Sequence, residues 1–127
     1  MKTMVLRNSI CLFIYLAAAA PVCHSIENKI TANECIALAS KHIETIDGIL
    51  TNKSKMNKAQ QLRMLQNILR DCSYATVGTK YEPLFFDASG IALQMSAIIN
   101  DTDNYRLMAT LEDKHIEITH LLEQIVR

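Results

Sequence analysis

Glycine and proline are scarce in this chain of 127 residues: the glycines are Gly48, Gly78 and Gly90, and the prolines Pro21 and Pro83. With so few chain breakers, and with abundant Leu, Ile, Ala, Met, Gln and Lys, the sequence favours helices over strands. A surplus of either charge is also lacking, since 13 basic residues face 13 acidic ones. Phosphate backbones are held by a basic excess, so nucleic acid is not expected as a partner. No glycine-rich phosphate loop is present, and no C-x-x-C-H haem attachment motif. Ser40, Ser54, Ser73, Ser89 and Ser96 lie in no G-x-S-x-G context. There is no internal repeat and no low-complexity tract. These absences leave neither an enzyme nor a resident cofactor to be expected.

The amino-terminal stretch has a character of its own. Lys2 and Arg7 precede an unbroken apolar run from Ile10 to Ala20, and the first acidic residue is Glu27. Such a run is too short to cross a bilayer and fits the apolar segment of a cleaved signal peptide. Cleavage after Ser25 or after Ala19 satisfies the small-residue rule, while Pro21 and Val22 disfavour lipidation at Cys23. Cysteine parity selects Ser25. That cut removes Cys11 and Cys23 and leaves one pair, Cys35 and Cys72, to bridge in an oxidising compartment. The expectation is a signal peptide over 1–25, a domain over 26–127, and a periplasmic or secreted location. The membrane enters only through the signal peptide.

Within the domain, four segments carry a helical period. The first spans about Ala32 to Leu50 with the stripe Ile36, Ala39, Ile43, Ile46 and Leu50, and with Thr31 or Asn33 as its cap. A second begins after Asn57 and runs to Ala75 on Leu62, Leu65, Leu69 and Cys72. The third runs from Asp87 to Ile99 on Ala88, Ile91, Met95 and Ile98. The fourth follows Thr102 or Asp103 and continues almost to Arg127, on Met108, Leu111, His115, Ile118, Leu122 and Ile125. Each stripe is one-sided and short links join the first and last pairs, so the expected fold class is all-α. Its expected form is a small up-down four-helix bundle of two antiparallel hairpins. Cys35 and Cys72 each lie about fifteen residues from the first turn, roughly 22 Å along their helices, so a disulfide would staple that hairpin.

Metal and ligand chemistry has little to build on. Glu112-x-x-His115 and Glu117-x-x-His120 have the spacing of carboxylate-bridged metal bundles, but they share one helix. Their five-residue offset turns them about 140° apart, so no metal site is expected from them. His115 interrupts the apolar stripe and is the one candidate haem or small-ligand residue, with Met64 or Met95 opposite.

Aromatic residues are concentrated. Tyr74, Tyr81, Phe85 and Phe86 fall within thirteen residues, on what reads as the longest connection. A rigidly held aromatic loop is a common protein-recognition device. For the phenylalanines the preferred reading is a lid in which Leu84, Phe85 and Phe86 fold back and plug the end of the bundle, which leaves Tyr74 and Tyr81 open to recognition. The basic turn from Lys53 to Lys58 reads as a solvated face. Asn52-Lys-Ser54 and Asn100-Asp-Thr102 are glycosylation sequons. The leading expectation is an exported, non-enzymatic helical protein that binds another protein, of the inhibitor, immunity or assembly-factor type. It is also open to pairing with a second copy through its stripes. The alternatives are a haem- or small-ligand-binding bundle using His115 and a secreted eukaryotic signalling ligand.

Overall fold

The computed structural model describes residues 29–52, 57–101 and 103–127. The expected signal peptide, its cleavage point and residues 53–56 of the basic turn lie outside the described residues. Those residues form five helices and no strand: α1 (Ala32–Ala37), α2 (Ala39–Thr51), α3 (Lys58–Ala75), α4 (Glu82–Ile98) and α5 (Tyr105–Val126).

The first expected helix is therefore two. Thr31 caps α1 through a reciprocal box, with the Glu34 N–H donating to Thr31 Oγ1 at 3.2 Å and the Thr31 N–H to Glu34 Oε1 at 2.9 Å. At Leu38 the backbone opens to φ −90°, ψ −1°, yet its N–H still reaches the Glu34 carbonyl and its own carbonyl accepts from His42. The result is an interruption in a nearly continuous rod. Cys35, Ala39, His42, Ile46 and Ile49 are buried, whereas Ile36, Ile43 and Leu50 are only half-buried. The inward face is thus rotated by about one residue from the expected stripe.

In α3 the expected stripe of Leu62, Leu65, Leu69 and Cys72 is buried throughout. Asn57 precedes it at φ 66°, a left-handed conformation that asparagine tolerates better than most residues. The start of α4 lies five residues earlier than expected. Pro83 stands in its first turn, where no intrahelical N–H is required and the proline φ is already helical. Asn104, rather than Thr102 or Asp103, caps α5, its Oδ1 accepting from Arg106 and Leu107 at 3.0 and 3.2 Å.

The most extensive packing joins α3 to α4, followed by α4 to α5 and α2 to α5. Smaller contacts join α2 to α3 and α1 to α3. One continuous core results, with Phe85, Ile46, Leu62, Leu69, Met95, Ile118, Leu122 and Ile125 fully buried within it. Cys35 and Cys72 are bonded across α1 and α3 with Cα atoms 5.6 Å apart, both buried. Among the described residues no helix is long and apolar enough to cross a membrane.

Candidate functional site

His115 does not enter the core. Its Nε2 lies 2.7 Å from Asp47 Oδ1, across the seam between α5 and α2, with both side chains partly exposed. An open groove of about 490 Å³ lies on one side, lined by Leu50, Tyr105, Met108, Leu111, Glu112 and His115. A second of about 310 Å³ lies on the other, reaching Thr119, His120 and Glu123. The first groove has a simple cause. The 22-residue α5 outruns the 13-residue α2, so its first turns have no α2 opposite them. Met108, expected in the core, is exposed there. The ligand partners considered for His115 are not brought to it: Met95 is buried in the core and Met64 is exposed on α3. No three His, Cys, Asp or Glu side chains among the described residues converge on a possible metal position.

His42 was not distinguished in the sequence, yet among the described residues it is the buried titratable side chain. Its Nε2 and the Thr119 Oγ1 have no hydrogen-bond partner among the described residues. Burial pushes the His42 pKa below the ordinary imidazole value, because the charged form loses its hydration.

The aromatic segment is mostly not a loop. Tyr74 sits in the last turn of α3, Phe85 and Phe86 sit in α4, and residues 76–81 alone connect the two helices. Three devices hold that connection. Thr76 Oγ1 donates to the Cys72 carbonyl at 2.7 Å, Thr79 Oγ1 donates to the Thr76 carbonyl at 2.7 Å, and the Gly78 N–H donates to Glu82 Oε1 at 3.1 Å. Gly78 takes φ 83°, which suits a residue without Cβ. Tyr81 is half-buried against the core beneath Lys80, whose Nζ lies 5.3 Å from the ring centre. Phe85 is fully buried, so it holds the helices together and is not available on the surface. Phe86, its neighbour in sequence, is 62% exposed, and Tyr74 is 64% exposed. Of the three residues expected to fold back as a lid, Phe85 is fully buried, Leu84 is half-buried and Phe86 is exposed.

The feature that sequence reasoning missed is the outer face of α4. From Ala88 to Ile98 the helix carries no charge, and it has apolar residues on both sides, with Gln94 the exposed polar side chain among the outer ones. A helix hydrophobic all round is normally buried all round. Here the inner side is filled by Phe85, Ala88, Ile91, Ala92 and Met95, while Phe86 and Leu93 (48% exposed) face water one heptad apart. Gly90 stands between them, with no atom within 4 Å of where its Cβ would be. The uncharged run was legible in the sequence; its two-sided character was not, because the helix start was misplaced.

Neither a scan against protein-family models nor searches of curated proteins and of solved structures returned a match.

Proposed function

We propose that this chain is an exported, non-enzymatic helical protein that acts by binding another protein, in the manner of an inhibitor, immunity protein or assembly factor. The observation that carries this reading is the solvent-facing apolar side of α4, where Phe86 and Leu93 are exposed on a helix without charge over its last eleven residues. Exposed apolar patches of this kind mark interaction surfaces more often than they serve the fold. Tyr74, exposed in the last turn of α3, adds a side chain of the type enriched at binding hot spots.

Residues 1–25 act on this reading as the export signal, and the bonded Cys35–Cys72 pair supports an oxidising destination. The helices are read as an up-down four-helix bundle in which α1 and α2 serve as one interrupted rod. A photocrosslinking residue placed at Phe86 in the native host tests the binding role, with one at exposed Gln60 as control. A discrete product specific to position 86, lost in a Tyr74→Ala background, is the expected result. Identical products at both positions, or none at either, would refute it.

One observation favours a second reading. The groove beside His115 is large enough for a small apolar ligand. Titration with hemin tests its haem form: a Soret band abolished by His115→Ala supports ligand binding there, and a colourless protein excludes haem.

A further inference from the structure

The partner's chemistry can be read from what lies beside the exposed side of α4. Three buried serines turn back on their own helices: Ser73 Oγ donates to the Arg70 carbonyl at 2.6 Å, Ser89 to that of Phe86 at 2.8 Å, and Ser96 to that of Leu93 at 2.6 Å. The bond from Cys72 to Cys35 turns that flank of α3 toward α1, which leaves the flank of Ser73 to α4, the helix with which α3 packs most extensively. At 100° per residue, the residue three positions before each serine lies on the same flank, one step further out. Arg70 thus stands on the α3 side of the outer seam, joined by Arg63 one heptad earlier, and Phe86 and Leu93 stand on its α4 side.

The four are also in register. Arg70 lies five residues before the end of α3 and Phe86 four after the start of α4; for Arg63 and Leu93 the offsets are twelve and eleven. Counted from the adjoining helix ends, each arginine is thus within one residue of its apolar partner, about 1.5 Å of helical rise. The two pairs repeat at roughly 10.5 Å, the rise of one helical heptad. Phe86, Ser89, Gly90 and Leu93 stand at i, i+3, i+4 and i+7, the four positions that form a hole for a knob from a facing helix. Exposed Gly90 forms its floor, and Phe86 and Leu93 form its walls. Neither arginine joins an ion pair among the described residues, where the pairs are Lys114–Glu117 and Asp47–His115.

We propose that the outer groove between α3 and α4 receives an acidic amphipathic helix of a partner protein. Its apolar stripe seats a knob over Gly90 between Phe86 and Leu93, and its carboxylates reach Arg63 and Arg70. The two arginines favour an acidic occupant over a second copy docked antiparallel, whose two-fold contact would bring like flanks together and set arginine against arginine. The inference rests on the binding role given above and adds the partner's charge and secondary structure.

The test uses the disulfide-bonded mature chain and two designed helical peptides of ~21 residues. They share leucines at heptad core positions and differ in carrying Glu or Lys on the flanks. Fluorescence anisotropy is expected to show salt-sensitive binding of the Glu peptide and none of the Lys peptide. Arg63→Glu/Arg70→Glu should weaken the Glu peptide by about tenfold or more and create binding of the Lys peptide, which also shows that the variant is folded. Gly90→Leu, which has open space around it, should abolish binding with an unchanged helical circular dichroism spectrum. Equal binding of both peptides, indifference to the arginine reversal, or failure of the Glu peptide to bind would each overturn the proposal. So would arginine-dependent binding to phosphatidylglycerol vesicles without peptide binding, which would assign the face to a membrane. A host protein crosslinked through Phe86 but indifferent to Arg63 and Arg70 would sink the acidic helix and leave the binding role standing.

Discussion

Removing the Cys35–Cys72 bond is the perturbation whose size the structure defines best. The cysteines are 37 positions apart, and a cross-link across a loop of that length removes about 13 cal/mol/K of chain entropy from the unfolded state. At 25 °C this corresponds to about 4 kcal/mol, at the upper end of the usual range. A domain of this size has a total stability of roughly 5–15 kcal/mol, so the bond accounts for a large share. Both cysteines are buried, so the cleanest variant is Cys35→Ala/Cys72→Ala, which leaves no unsatisfied hydroxyl behind. Urea denaturation of the oxidised wild type and of this variant, followed by circular dichroism, measures the difference directly. The midpoint should fall by roughly 2–3 M, and the melting temperature by about 15–30 °C. The slope should rise, because the unbridged chain exposes more surface when it unfolds. A loss below about 1 kcal/mol, in protein whose intact mass shows the bond in the wild type, would refute the entropic account.

Four further outcomes are expected. The lowered pKa of His42 means that the unfolded chain takes up a proton the native chain resists; the wild type should therefore lose stability as pH falls below about 6.5, and His42→Leu should flatten that dependence in urea midpoints taken across pH. Phe85→Ala should cost about 3–5 kcal/mol and Phe86→Ala less than about 0.5, although the two are neighbours; similar losses would contradict the burial difference. Gly90→Ala should stabilise the free chain by up to about 1 kcal/mol in thermal melts, since the position is helical and open. A double-mutant cycle on Asp47→Asn and His115→Gln should return a coupling of only about 0.2–1 kcal/mol, because both side chains are partly in solvent; several kcal/mol would mean the pair is shielded.

Much of the helical layout was legible because its signals are local. The α3 stripe has one apolar set at helical spacing, and both its ends were found. Elsewhere two phases competed. Across α1 and α2 the sets Ile36, Ile43, Leu50 and Cys35, His42, Ile49 differ by a single residue, and the polar imidazole of His42 disguised the one that is buried. The disulfide draws Cys35 inward and so decides the phase, a long-range constraint that periodicity does not carry. Pro83 misled in the opposite way, as a breaker read where it serves as a helix starter. That error turned Phe85 and Phe86 into loop residues and hid the outer side of α4. Met108 was misread because periodicity says which side of a helix is apolar, not whether a neighbour is long enough to cover it.

The position of the disulfide also fixes how the chain would bear load. Cys35 lies in the first turns of the fold and Cys72 near the end of α3, so the sulfur bridge short-circuits α2 and most of α3. Tension applied between the two ends runs through the bridge and then along α4 and α5, the segments left free to unravel. The shielded loop withholds roughly 130 Å of contour length. Reduction would release that slack as a separate extension step and convert a chain that yields from one end into one that yields throughout.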